Sequence, residues 1–197
     1  MNIDFTVHRN KVSLFKFKTN LMENQTVPTK NVILNYGVYL GIASILISVI
    51  VYALGMQYEQ DWKSGSAGII AMAVIIFLGI KKYKEFNNGF LSIGQALKVG
   101  VGIALIGGII SVIYSVIFMT YIEPDFMANT MAKAEQQLME NAPNLTDEQI
   151  EMQVEMMQKF STPIIISAFS LIASLFFGFI ISLISGLILK KSEEDQY

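Results

Sequence analysis

Four apolar runs, Val32 to Leu54, Ser64 to Ile80, Val99 to Ile122 and Pro163 to Leu189, contain no charged residue, and the polar segments between them hold the charge. A helix needs about 20 residues to cross hydrocarbon, where the backbone must satisfy its own hydrogen bonds. The pattern therefore predicts an all-α membrane protein with four transmembrane helices. The second run is the shortest, but Trp62-Lys63 and Lys81-Lys82 bracket it, and Tyr52, Tyr58 and Trp62 fall at interface depth as an aromatic belt would.

Local signals sharpen the boundaries. Asn87-Asn88-Gly89 marks a turn, and Ser92 with Gln95 forms a capping box that starts the third helix near Ile93. Uninterrupted from there to Ile122, that helix would be about 45 Å long, so its first turns lie at the interface and Lys98 can return its amine to water. Pro124 suits the first turn of a new helix, with Met127, Met131, Ala134 and Leu138 at helical spacing. Asn141 to Asn144 breaks this helix. Thr146 and Gln149 cap the next, with Leu145 placed to staple onto Ile150 and an apolar row at Ile150, Val154 and Met157. Residues 123–161 thus read as a helical hairpin between the third and fourth spans, and Thr162-Pro163 begins the last span.

Small residues recur on helix faces. The fourth span places Ser170, Ser174, Gly178, Ser182 and Gly186 at four-residue intervals, and the third places Gly100, Ala104, Gly108, Ser111 and Ser115 on one face. Such faces allow close backbone approach, so the third and fourth spans are expected to pack on each other, with a homo-oligomer contact as the rival reading. Gly37, Gly41, Ser44 and Ser48 form a similar face on the first span.

Charge adds an orientation. Lys30, Lys81, Lys82, Lys84, Lys98, Lys190 and Lys191 fall on one side, against Lys63, Lys133 and Lys159 on the other. The hairpin segment carries Glu123, Asp125, Glu135, Glu140, Asp147, Glu148, Glu151 and Glu155. The lysine bias predicts cytoplasmic termini and an extracytoplasmic acidic hairpin. The organisation expected is a cytoplasmic segment over 1–31, a membrane domain over 32–191 and a cytoplasmic tail over 192–197. Residues 1–21 read either as a basic membrane-surface segment or as sequence upstream of a start at Met22.

Candidate chemistry is sparse. The chain has no cysteine, and its single histidine, His8, lies outside the spans. No Asp or Glu occurs within a span, which argues against an ion-coupled antiporter, and the span serines have no adjacent base to activate them. Met127, Met131, Met139, Met152, Met156 and Met157 are the remaining candidates, because thioethers suit Cu(I). Without His or Cys, packing of the hairpin seam is the preferred role, and no metal or cofactor is expected.

Residues Tyr83 to Gly100, a Gly-rich third span, the Pro124-Asp125-Phe126-Met127 opening of a Met- and Glu-rich loop, and the closing Leu189-Lys190-Lys191 resemble a family of small bacterial membrane proteins, domain-of-unknown-function family 4199. The resemblance covers about Val32 to Lys191. It implies a multi-pass protein of the bacterial inner membrane and transfers no catalytic or binding residue. The chain is expected to act as a non-enzymatic membrane or envelope interaction component, with the bilayer and another membrane protein or a second copy as partners and no nucleic acid. An uncoupled small-molecule or ion pathway formed by an oligomer is the alternative.

Overall fold

The structure is a computed structural model that describes residues 29–58, 62–141 and 144–191, with the backbone alone at residues 62–64. The expectations for residues 1–21, the Trp62 side chain, Pro143 and the tail lie outside the described residues. Regular structure within them is helical: α1 (Thr29–Ala53), α2 (Trp62–Phe86), α3 (Ile93–Ile117), a π-helical turn (Phe118–Ile122), α4 (Phe126–Asn141), α5 (Asp147–Phe160) and α6 (Pro163–Leu189). Four segments are long and apolar enough to cross a membrane: Thr29–Ala53, Gly65–Phe86, Ile93–Ile122 and Pro163–Leu189. They run alternately up and down, with α4 and α5 inserted at one end. That end is called here the hairpin end, and the other the lysine end.

Each boundary has a local cause. After α1, Gly55 at φ 69° lets its own N–H reach the Tyr52 carbonyl and the Met56 N–H reach Val51, a Schellman closure. Asn88 at φ 54° and Gly89 at φ 82° turn the chain between α2 and α3. Ser92 and Gln95 make the capping box of α3, and Thr146 and Gln149 that of α5. Thr162 accepts from the Ile165 N–H, with Pro163 in the first turn of α6. Two sequence expectations are corrected. α2 continues past Ile80 to Phe86, because Lys81, Lys82 and Lys84 extend the helix as an exposed turn in which Lys82 pairs with Glu85 at 2.9 Å. α4 begins at Phe126 rather than at Pro124, which sits in the preceding turn, where the Phe126 N–H bonds the Glu123 carbonyl.

α3 is the central helix and presents small residues in two directions. Toward α6, a Cβ on Gly100 would collide with Ser182, and one on Gly178 with Ala104. A Cβ on Gly186 would lie 2.9 Å from Ala96, and one on Gly108 would lie 3.0 Å from Ser174. These contacts step by four residues in opposite directions along the two helices, as antiparallel helices in one register must. Ser174 also donates to the Ala104 carbonyl at 3.2 Å across the seam. Toward α1 the fit is reciprocal: Gly37 and Gly41 receive Ile106 and Ile110, while Gly102 and Gly107 receive Ile33 and Leu40. Both small faces are thus occupied within one chain.

The tightest packing lies toward the lysine end, where Ile76, Ile80, Val99 and Ile103 are fully buried. Lys84 there donates to the last carbonyl region of α6, at Leu189, over 2.8 Å. Leu91 and Lys191 exchange two backbone hydrogen bonds of 3.0 and 3.1 Å, tying the α2–α3 turn to the end of α6. Lys98, in the second turn of α3, faces outward. Replacing Gly178 by Leu should cost about 1–3 kcal/mol through overpacking against Ala104. Replacing the partly exposed Phe177 by Leu should cost less, and thermal unfolding of both variants in detergent is the comparison that checks it.

Candidate functional site

Closure at the lysine end contrasts with an opening in the other half of the bundle. There, all four long helices line a crevice of about 570 Å³. Its walls are mainly apolar, including Leu40, Ile69, Met72, Val112 and Ile166, but hydroxyls enter from three helices: Ser44, Ser111, Ser115, Ser167, Ser170 and Ser174. The opening has a simple origin. Gly65 and Gly68 of α2 form part of the wall, and a Cβ on either would meet nothing within 4 Å. These two glycines therefore mark where α2 leaves space, in contrast to the crowded glycines of α1 and α3.

Among the described residues, the crevice lining offers no group that could activate a nucleophile. Ser44 and Ser111 donate to the carbonyls four residues earlier in their own helices, both at 2.9 Å, and Ser174 bonds across to α3. Its lining includes no histidine, carboxylate or amine, so a serine there would stay protonated. What the arrangement can do is bind: its volume falls within the ~300–1,000 Å³ usual for small-molecule sites, and its hydroxyls offer hydrogen bonds to an uncharged molecule.

The hairpin stands at the mouth of this half. Its two rows face each other: Ala134 and Ile150 are buried, while Met127, Met131, Leu138, Val154 and Met157 are half-buried. Burial is therefore less complete than the sequence pattern suggested, because two short helices close only one side of each stripe. A groove of about 410 Å³ remains between them, lined by Met127, Met131, Val154 and Gln158 among others. Met139, Met152, Met156 and Phe160 are more than half exposed. Met127 and Met131 line that groove while Met152 and Met156 do not, and among the described residues no three His, Cys, Asp or Glu side chains gather in a metal-holding group.

An aromatic cluster fastens the hairpin to the bundle. The Tyr52 and Tyr58 hydroxyls both donate to Glu123, at 3.1 and 2.8 Å, and Asn129 donates to the Tyr58 oxygen at 3.0 Å. Phe118, buried in the π-helical turn, packs edge-on against Tyr52 and Phe126, and Tyr58 stacks on Phe126. The wider turn carries the Glu123 N–H to the Phe118 carbonyl at 2.8 Å, an i to i+5 bond.

The residues singled out in the sequence thus divide by height in the bundle. Gly100, Ala104, Gly108, Ser174, Gly178, Ser182 and Gly186 meet in the α3–α6 seam. Ser170 does not: it is exposed and belongs to the crevice wall, because α6 diverges from α3 there. Sequence reasoning counted Glu123 only as one more acidic residue of the loop. Its two tyrosine partners come from before α2, some 65 and 71 residues away, and nothing local announces them.

Changing Glu123 to Gln removes the charge that both phenols address, and hydrogen bonds to charged groups are worth about 1.5–3 kcal/mol each. Amide hydrogen exchange across α4 and α5 should accelerate in that variant and in Tyr58→Phe, while exchange in α3 below Gly107 stays unchanged.

No curated relative and no solved structure matches the chain. The family model described as "Protein of unknown function (DUF4199)" matches residues 35–191, which take in all four apolar spans almost completely, the capped α2–α3 turn and the whole hairpin. On that match the chain belongs to the DUF4199 family.

Proposed function

We propose that the protein is a non-enzymatic interaction component of the bacterial inner membrane, holding a partner through the α4–α5 hairpin. The observation that carries this reading is the open groove between α4 and α5, beside exposed Met139, Met152, Met156 and Phe160. Methionine-rich apolar surface adapts its shape to a partner at small cost, which suits recognition more than catalysis. The acidic residues around the groove would favour a partner segment that is amphipathic and basic. Under the lysine bias, the hairpin faces the extracytoplasmic side and both termini the cytoplasm.

A second reading rests on the serine-lined crevice, which an oligomer could extend into an uncoupled pathway for small molecules. Within one chain the fully buried Ile76, Ile80, Val99 and Ile103 stand below it, so the proposal of an interaction component has the greater support.

Both the side and the face can be tested on the full chain in cells. With no native cysteine, single cysteines at Asn88 and Ser192 should resist a membrane-impermeant thiol reagent, and one at Asn144 should react; the reverse pattern inverts the orientation. A photo-crosslinking residue at Met131 or Val154 should give one heterologous adduct that the same residue at exposed Lys133 does not. Adducts to the chain itself would move support to the oligomer, and adducts of equal yield from all three positions would remove the groove's claim.

A further inference from the structure

A second groove, of about 380 Å³, lies between α2 and α6 toward the lysine end. Ala73, Val74, Phe77 and Leu78 form one wall, and Ile181, Ile184, Ser185 and Ile188 the other. Almost all of its surface is apolar, with one exception. Ser185 is 3% exposed and lines the groove, and its hydroxyl makes no hydrogen bond among the described residues. A serine in a membrane helix ordinarily donates to the carbonyl four residues back, as Ser44 and Ser111 do. Ser185 is left with a free donor in an apolar site, and such a group calls for an acceptor from outside the chain.

The position of Ser185 narrows what that acceptor is. Four residues separate it from Leu189, the last residue of α6, so it sits about 6 Å inside the helix end. Ester carbonyls of a glycerolipid lie at that depth beneath the phosphate. From Ser185 the apolar wall of α6 then runs on toward the bundle centre to Ile181, about 6 Å, along the path an acyl chain would take.

Charge identifies the headgroup. On α2 the groove face continues, at the next turn, to Lys81, four residues after Phe77 and three after Leu78; α6 ends at Leu189, and Lys190 and Lys191 follow it at the same end of the groove, Lys191 in its bridge with Leu91. Lys82 is occupied by Glu85, and Lys84 by the Leu189 carbonyl. Lys81 and Lys190 are exposed and make no ion pair among the described residues, and the Lys191 amine has there only the Phe90 ring, 5.8 Å away. A second copy of the chain docked here in the same membrane orientation would bring these lysines against their own duplicates, which is repulsive. An anionic headgroup meets them with attraction.

From this juxtaposition we propose that the α2–α6 groove is a binding site for an anionic glycerophospholipid: one acyl chain between Phe77 and Ile184, an ester carbonyl accepting from Ser185, and the phosphate between Lys81 and Lys191. The site is separate from the hairpin groove and stands or falls independently of the interaction role.

The test uses the full chain in nanodiscs of equal phosphatidylglycerol and phosphatidylcholine, with retained lipids counted by native mass spectrometry after release. Phosphatidylglycerol should be retained preferentially, and Lys81→Gln with Lys191→Gln should cut that preference by roughly fivefold for each lysine removed. Both lysines are exposed, and the Leu91–Lys191 bridge is made by backbone, so the variant keeps its fold, with helicity measured to establish it. Ile184→Trp should fill the groove and lower retention of both lipids. Lys98→Gln, on an outward face of α3, should leave the preference intact. Equal loss from Lys98→Gln would assign the preference to net charge alone and overturn the proposal. Retention unchanged in the double variant, or a dimer that carries no lipid and dissociates in Ile184→Trp, would overturn it as well.

Discussion

Close approach of α3 to its neighbours is the constraint on which the other features rest. In hydrocarbon, no water is released when two apolar helices meet, so association depends on van der Waals contact and on hydrogen bonds across the seam. Contact of that kind requires that something be missing from one surface. Gly100, Gly178 and Gly186 supply the absence toward α6, and Gly37, Gly41, Gly102 and Gly107 toward α1. Because α3 is thin in both directions, it can be shared by two neighbours while α2 closes the lysine end through Ile76 and Ile80.

The same geometry explains why the bundle is asymmetric along its length. At the lysine end, the Leu91–Lys191 bridge and the Lys84 bond to Leu189 hold the α2–α3 turn against the end of α6, so the side chains inside the bundle interleave and the α2–α6 groove stays on its outer face. Near Gly65 and Ser170 the space between α2 and α6 becomes the crevice. Three of the hydroxyls along its walls are satisfied without a ligand, Ser44 and Ser111 by their own helix carbonyls and Ser174 by the Ala104 carbonyl. The crevice is thus a polar-flecked recess with a packed floor, and the outer α2–α6 groove is its apolar counterpart on the lipid side.

At the hairpin end a different physics operates. α4 and α5 are short and only weakly apolar, so they have little core of their own, and each needs a fixed neighbour. The Glu123 carboxylate with the Tyr52 and Tyr58 hydroxyls, set on a platform of Phe118 and Phe126, provides it. A hairpin held at its base and open along its seam can present a groove without being locked to the bundle. That is the structural basis for the recognition role proposed for it.

The membrane class, the four spans and the capped ends of α3 and α5 were determined by sequence alone, because hydrophobic length and Ser/Thr-x-x-Gln spacing act within a few residues of themselves. The small faces of the third and fourth spans were also legible, since a four-residue interval is a property of one helix. Which glycine meets which side chain was not. Gly102 and Gly107 fall off the face that attracted attention and serve α1, and Ser170 keeps the interval yet faces the crevice, because helix divergence is set by all four helices together. Glu123, Ser185 and the α2–α6 groove likewise became visible only when segments more than 60 residues apart were brought together by tertiary packing. A side chain's spacing is written in the chain, but its neighbours across the bundle, and the spaces left between them, are decided by how the helices settle against one another.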